Sequence, residues 1–170
     1  MGDRSVTRNC GPDLARVGAG LPVAAYRDEI TTALHGGRAV IVAPPGTGKT
    51  TFVPPLVASR CSGRVIVTQP RRVAARAAAR RLAALTGTRP GEFASHTVHG
   101  ESTTTRDTKV EFVTTGVLLR RLLSDPDLTG VDAVVLDEVH ERHLDADLVV
   151  AMVCEVAQLR DDLTLSLIHI

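Results

Sequence analysis

The feature that most restricts the possible folds of this chain is a glycine-rich octet, Ala43-Pro-Pro-Gly-Thr-Gly-Lys-Thr50. A β-branched run precedes it and helical spacing follows it, which is the context of a phosphate-binding loop, with Ala43 in place of the usual first glycine. Gly46 and Gly48 let the backbone bend until several N–H groups converge on a phosphate, and the next helix adds its positive N-terminal end. The octet predicts a nucleotide-binding α/β fold. A glycine-rich turn that binds no nucleotide is the alternative.

The polar residues of the octet have predicted roles with ATP and Mg²⁺, the two predicted cofactors. Lys49 is expected to reach the β- and γ-phosphates as a point charge, Thr50 to offer its hydroxyl to Mg²⁺, and Thr51 to contact the α-phosphate. The predicted nucleotide-binding residues are Ala43, Pro44, Pro45, Gly46, Thr47, Gly48, Lys49, Thr50 and Thr51.

Helices and strands are predicted to alternate along the chain, as in a mostly parallel sheet flanked by helices. Helices are predicted at 24–34, 49–58, 71–85, 116–123 and 144–159, and strands at 39–43, 65–68, 109–114 and 131–137. Hydrophobicity is continuous in the run 39–43 and largely so in 131–136, which is typical of strands covered on both faces. We expect one domain over 21–164, after a loose polar leader at 1–20.

An acidic pair, Asp137 and Glu138, directly follows the apolar run 131–136. The carboxyl ends of parallel strands line the ligand crevice of an open sheet, so this pair is expected beside the phosphate-binding loop. Asp137 would then bind Mg²⁺, mostly through water, and Glu138 would contact the ion or activate the water that attacks the γ-phosphate. The alternative is an ordinary helix N-cap, where aspartate is common.

Several segments resemble motifs of the DEAH-box branch of superfamily 2 helicases. Asp137-Glu-Val-His-Glu-Arg142 resembles motif II, with Val139 where alanine is usual. Thr68-Gln-Pro-Arg-Arg-Val-Ala-Ala75 is similar to motif Ia, and Thr114-Thr-Gly-Val-Leu-Leu119 is similar to motif Ib. Val98-His-Gly-Glu-Ser102 is closest to the bacterial HrpB-like branch. The resemblance extends over residues 21–163.

The resemblance implies an ATP-dependent RNA helicase whose first RecA-like P-loop domain is this chain, truncated at its C-terminus. Such a motor closes ATP against a second RecA-like domain that supplies arginine fingers, so the chain alone is expected to be nearly inactive. In this family His140 links the nucleotide site to the partner domain. The predicted catalytic residues are Lys49, Glu138 and His140, and the predicted metal ligands are Thr50, Asp137 and Glu138.

The resemblance also implies binding of single-stranded nucleic acid, with RNA favoured over DNA. The predicted contacts are Arg71, Arg72, Thr114, Thr115 and Gly116. A threonine hydroxyl and the helix N-terminal amides of Thr114, Thr115 and Gly116 would bind phosphate. The arginines after Arg72 are expected mostly to form a solvated helix face, although Arg81 could instead lie against the adenine, as the resemblance implies. The chain has only three Phe, one Tyr and no Trp, so binding through phosphate and sugar is expected, with marked salt sensitivity.

Composition limits the other classes of function. Lys and Arg total 20 against 19 Asp and Glu, so any nucleic-acid contact must come from local clusters. The three cysteines form no C-x-x-C pair, and no apolar run is long enough for a membrane span, which favours a cytoplasmic protein. A P-loop enzyme of another class and a non-catalytic nucleic-acid-binding module remain alternatives.

The last six residues, Leu165-Ser-Leu-Ile-His-Ile170, match the translation of a transposon adapter used to prepare sequencing libraries. We therefore expect residues 165–170 to be a non-native tail. An ordinary apolar C-terminal strand is the alternative.

Overall fold

A computed structural model describes residues 11–139 and 143–169. In this part of the chain seven strands form one sheet in the order β1-β7-β6-β2-β5-β3-β4. All neighbours are parallel except β3 and β4. The strands are β1 (Arg38–Val42), β2 (Arg64–Gln69), β3 (Ala94–Val98), β4 (Glu101–Ser102), β5 (Val110–Thr114), β6 (Val131–Leu136) and β7 (Thr164–His169).

Helices flank both faces of this sheet, which confirms the predicted mostly parallel α/β fold. The helices are α1 (Leu14–Gly18), a 3₁₀ helix (Pro22–Tyr26), α2 (Arg27–Leu34), α3 (Lys49–Ala58), α4 (Arg72–Thr86), α5 (Thr115–Ser124) and α6 (Leu144–Leu159). None of those in the described ranges is long and apolar enough to cross a membrane.

Two hydrophobic clusters lie on opposite faces of the sheet, and successive residues of strand β2 belong to different clusters. Val65 and Val67 belong to the cluster under α1 to α4, whereas Ile66 belongs to the cluster under α5 and α6. All three side chains are fully buried. A central strand with helices on both sides therefore needs apolar residues at consecutive positions, as predicted for β6 as well.

Strand β1 does not follow the prediction that it is covered on both faces. Ala39 and Ile41 are buried, but Val40 and Val42 are 65% and 68% exposed. The prediction is wrong because β1 lies at the edge of the sheet, where only one of its faces meets a helical layer in the described residues.

The prediction of a loose leader up to residue 20 is wrong for its second half. Helix α1 begins after Asp13, whose side chain accepts hydrogen bonds from the N–H groups of Ala15 and Arg16, both at 3.1 Å. Val17 is buried in the core. One capped turn with a single buried apolar residue is too short to show periodicity in the sequence. Residues 1–10 lie outside the described part of the chain.

Strands β3 and β4 were not predicted, because polar residues separate Ala94 and Val98, the two apolar core residues of β3. Ser95 and His96 are buried, and each has a polar partner: Ser95 Oγ lies 3.2 Å from Thr104 Oγ1, and His96 Nε2 lies 2.7 Å from Glu101 Oε1. A buried strand stabilised by hydrogen bonds has no apolar alternation for a sequence pattern to detect.

The C-terminal residues form strand β7 between β1 and β6. Their conformation agrees with the strand alternative, while the non-native origin of residues 165–170 stays a prediction. Ser166 is fully buried in this strand, and its hydroxyl has no hydrogen-bond partner among the described residues.

Candidate nucleotide-binding site

The glycine-rich octet connects the carboxyl end of β1 to α3. Gly46 and Gly48 have φ angles of 78° and 89°, in the left-handed region that glycine adopts without steric cost. Gly48 is the residue at which the chain turns into α3, so Lys49 and Thr50 occupy the first turn of that helix. The loop therefore places its backbone amides and the positive end of α3 at the same edge of the sheet.

Lys49 is buried, with 7% of its surface exposed. Its ammonium group donates hydrogen bonds to the carbonyl oxygens of Ala43 and of Pro44, the latter at 2.8 Å. No carboxylate in the described part of the chain forms an ion pair with it. The loop thus holds a positive charge against neutral carbonyls, an arrangement that favours an anionic ligand.

Asp137 lies directly after β6, and the fold brings it to the first turn of α3. Thr50 Oγ1 donates a hydrogen bond to Asp137 Oδ2 at 2.5 Å, and Gln69 Nε2 donates to the same oxygen at 2.7 Å. Asp137 is 6% exposed. The expected juxtaposition of the acidic strand end and the glycine-rich loop is therefore present in the structure.

The backbone around Asp137 is held by two further hydrogen bonds. The Asp137 N–H donates to Thr68 Oγ1 at 3.1 Å, and the Glu138 N–H donates to Asp137 Oδ1 at 3.0 Å. Glu138 has φ = 54°, a left-handed conformation that is uncommon for a residue with a side chain and costs about 1 kcal/mol. The strand end is therefore bent sharply where Glu138 meets the cavity.

A cavity of about 320 Å³ lies between the loop and the acidic pair. Its wall contains Pro45, Gly46 and the residues from Gly48 to Thr51, together with Asp137, Glu138, Leu21, Arg81 and Ile168. Ala43, Pro44 and Thr47 are not in this wall, and they line a separate groove beside Val42. Six of the nine predicted nucleotide-binding residues therefore surround one cavity, and the other three contribute to the shape of the loop.

The donor set at the cavity fits Mg²⁺. The Thr50 hydroxyl and the Asp137 carboxylate converge, and Glu138 lies in the same wall. Mg²⁺ keeps several of its water ligands, so a protein needs to supply only a few oxygen atoms to bind it. Within residues 11–139 and 143–169, no group of three or more His, Cys, Asp or Glu side chains is placed to hold a metal ion.

The predicted phosphate-contacting turn Thr114–Gly116 begins at the end of β5. Strand β2 lies between β5 and β6 in the sheet. Thr114 is paired with Gln69 in the register of β2 and β5, and its side chain makes no capping bond to α5. Thr114, Thr115 and Gly116 line a second cavity of about 220 Å³, whose wall also includes Asp137 and Glu138. The acidic pair therefore separates the nucleotide cavity from this turn.

The predicted nucleic-acid residues Arg71 and Arg72 lie at the start of α4 and are exposed. Arg72 Nη2 donates to the carbonyl of His99 at 3.3 Å, so the turn between β3 and β4 holds this guanidinium. Arg76, one turn later, forms an ion pair with Glu101 instead of facing solvent alone. The hydrogen bond from His96, and to a smaller extent the one from Arg76, keeps the pKa of Glu101 below its usual value.

Residues 26–153 match the family model of the DEAD/DEAH box helicases. The chain belongs to this helicase family. It is 44% identical over 149 residues to the ATP-dependent RNA helicase HrpB of Escherichia coli, and 35% identical over 146 residues to HrpA of Borreliella burgdorferi. These alignments cover 85% and 84% of the chain.

The fold of this helicase chain matches the crystal structure of the Escherichia coli DEAH/RHA helicase HrpB, with a TM-score of 0.83 and 42% sequence identity. The match covers 88% of this chain but 20% of the HrpB chain. Against both HrpB and HrpA, the chain spans 18% of the relative's length. The chain therefore belongs to the family and has the RecA-like fold, and it spans about a fifth of the length of HrpB and HrpA.

Four residues at or beside the nucleotide cavity were not predicted from sequence: Leu21, Thr68, Gln69 and Ile168. The two polar residues lie inside the segment that resembles motif Ia, and their position at the carboxyl end of a strand was the available signal. Nothing in the sequence pattern indicated that Gln69 contacts Asp137. The predicted catalytic residue His140 lies outside the described residues.

Proposed function

We propose that this chain is the ATP-binding half of an ATP-dependent RNA helicase, in which nucleotide hydrolysis drives movement along single-stranded nucleic acid. The observation that carries the proposal is the hydrogen bond from Thr50 to Asp137, which joins the start of α3 to the end of β6 at the wall of one cavity. The relatives named above are ATP-dependent RNA helicases, and the family supplies the reaction class.

Nucleotide binding is assigned to the loop. The amides of Gly46 and Gly48 and the Lys49 ammonium would bind the β- and γ-phosphates, and Thr51 would contact the α-phosphate. Lys49 must leave its carbonyl partners to do so, and an anionic partner makes that exchange favourable. Bound between Thr50 and Asp137, Mg²⁺ would neutralise charge on the phosphate oxygens.

Hydrolysis is assigned to Glu138, whose carboxylate would orient and deprotonate the water that attacks the γ-phosphate. Glu138 follows the strand end in a left-handed backbone conformation and lines the nucleotide cavity. His140 is proposed to connect this site to the second RecA-like domain. That domain would provide the missing transition-state charge, whose loss lowers the rate by about 10³ to 10⁵ in related P-loop enzymes.

Nucleic-acid binding is assigned to the segments that directly follow β2 and begin α5 after β5. The Thr114 hydroxyl and the amides of Thr115 and Gly116 would bind backbone phosphate, and Arg71 and Arg72 would add charge. Such contacts carry little sequence information, which suits a translocating enzyme. RNA is the proposed substrate and the cytoplasm the proposed location. The RecA-like domain is proposed to include helix α1 (Leu14–Gly18) and to end at residue 164, before a non-native tail over 165–170.

The test is ATP hydrolysis by the full-length protein with and without single-stranded RNA. Wild type should show RNA-stimulated turnover, Lys49→Ala should lose ATP binding, and Glu138→Gln should bind ATP but hydrolyse it at least about 10²-fold more slowly. Lys109→Ala is the matched control, because Lys109 precedes the amino end of β5 and binds the Ser62 carbonyl, far from the loop.

The competing functions give other results in the same assay. Turnover that RNA does not stimulate would indicate a P-loop enzyme of another class. RNA binding and function that survive Lys49→Ala unchanged would indicate a non-catalytic nucleic-acid-binding module. Either outcome contradicts the proposed function.

A further inference from the structure

The segment before the domain's first strand contacts the phosphate-binding loop from outside the nucleotide-binding residues. Leu21 packs directly against Gly48: a Cβ atom added to Gly48 would lie 2.9 Å from Leu21 Cδ2 and 3.0 Å from Leu21 Cδ1. Atoms cannot approach a real Cβ so closely, so Leu21 fills the space that a glycine leaves open. Gly48 therefore leaves room for Leu21, and its φ angle of 89° independently favours glycine.

A backbone hydrogen bond reinforces the same contact. The Val23 N–H donates to the Thr47 carbonyl oxygen at 3.1 Å. In a trans peptide the C=O of one residue and the N–H of the next point to opposite sides of a rigid plane. Holding the Thr47 carbonyl toward Val23 therefore turns the Gly48 N–H away from Val23, and Gly48 lies in the wall of the nucleotide cavity.

The bracing segment is itself anchored on the helix that carries the loop. Val17 and Val23 are buried in the core cluster that includes Phe52 of α3. A Cβ atom added to Gly18 would lie 2.8 Å from the Phe52 ring, so α1 touches α3 closely at this point. The loop is thus held between α3, of which it is the N-terminal extension, and a segment packed on the same helix.

We infer that Leu21, together with the Val23 N–H, is a positioning element that fixes the phosphate-binding loop in its anion-binding shape. The inference rests on the proposed function, because it assigns these residues to the same nucleotide site. A loop held in its binding conformation before the ligand arrives loses less conformational freedom on binding. Removing the Leu21 side chain should therefore weaken phosphate binding without removing any group that touches phosphate.

The experiment compares Leu21→Ala with Leu14→Ala in the 170-residue chain. Both leucines are partly buried and pack against the same core cluster, but Leu14 is not in the cavity wall. Isothermal titration calorimetry with Mg²⁺ present measures the Kd for ATP and for inorganic tripolyphosphate, and circular dichroism measures the Tm. Leu21→Ala should weaken both ligands about tenfold, whereas Leu14→Ala should change the Kd less than about twofold at a similar loss of Tm.

Two further variants separate the explanations. Leu21→Met should restore binding of both ligands, since it refills the space beside Gly48. Loss of ATP affinity without loss of tripolyphosphate affinity would mean that Leu21 touches the nucleoside directly and would overturn the positioning role, as would equal losses in Leu14→Ala. Lys49→Ala must abolish binding of both ligands. If wild type binds neither, or Lys49→Ala binds like wild type, the nucleotide site itself is refuted.

Discussion

The buried carboxylate of Glu111 forms an ion pair that connects the two elements on either side of the turn Thr114–Gly116. Its contribution to the free energy of unfolding can be measured. Glu111, the second residue of β5, is 1% exposed. Its oxygens accept hydrogen bonds from Arg121 at 2.9 and 2.8 Å, from Thr97 at 2.7 Å and from Arg64 at 3.3 Å. Because Arg121 is on α5, the ion pair ties β5 to the helix that follows it, with the turn between them.

Glu111→Ala should destabilise the domain strongly. The substitution leaves the guanidinium groups of Arg121 and Arg64 without their carboxylate, and the two side chains are 27% and 28% exposed. Breaking a fully buried ion pair by removing one partner costs about 3–5 kcal/mol. Since both arginines reach some water, we expect the lower end, a loss of about 3 kcal/mol in the free energy of unfolding.

The effect should also depend on pH in one direction. Burial is the largest influence on Glu111 and raises its pKa, but the hydrogen bond and charge of Arg121, with Thr97 and Arg64, outweigh it, so the pKa lies below its ordinary value of 4.5. A carboxylate whose pKa is lowered by folding stabilises the protein above its unfolded pKa. That stability is lost as the pH falls through the folded pKa.

Urea denaturation gives both quantities. The difference between wild type and Glu111→Ala should be full at pH 7 and should shrink as the pH falls below 4.5. Glu155→Ala is the matched control, because Glu155 is exposed on α6 and its loss should change stability by less than about 0.5 kcal/mol. A loss below about 1 kcal/mol for Glu111→Ala, or a difference that does not change with pH, would show that the Glu111–Arg121 ion pair does not stabilise the domain.

Three further outcomes are expected. Gln69→Ala removes a donor from buried Asp137, so the free energy of unfolding should fall by about 1–3 kcal/mol and Mg–ATP should bind more weakly; unchanged calorimetric affinity contradicts this. Ser166→Ala removes a buried hydroxyl without a partner and should raise the free energy of unfolding by about 1 kcal/mol in urea, whereas a decrease contradicts the assignment. RNA affinity of the full-length protein should fall steeply with added salt and vary little with base sequence; strong sequence preference in a fluorescence titration contradicts phosphate-based binding.

The central part of the fold could be predicted because its signals are local. The octet 43–50 marks the turn between a strand and a helix. The acidic pair after 131–136 marks the end of a buried strand. The rule that carboxyl ends of parallel strands meet at one edge then places Asp137 beside Thr50, and the structure agrees.

The parts that were missed depend on contacts between distant segments. The polar residues of β3 bond to partners on β4 and β5, as Thr97 does to Glu111, and no periodicity in the sequence of β3 reveals these partners. The exposed face of β1 follows from its place at the sheet edge, which alternation of residues cannot fix. The roles of Leu21 and Gln69 likewise appear only when their neighbours, Gly48 and Asp137, are known.

Binding of Mg–ATP between the glycine-rich loop and Asp137 is tested most directly by a crystal structure of the chain with Mg²⁺ and a non-hydrolysable ATP analogue. We predict the β- and γ-phosphates within hydrogen-bond distance of Lys49 Nζ, and the metal ion held by phosphate oxygens, Thr50 and Asp137, directly or through water. Nucleotide bound in another cavity, or Lys49 still bonded to the carbonyls of Ala43 and Pro44 with the analogue present, would contradict it.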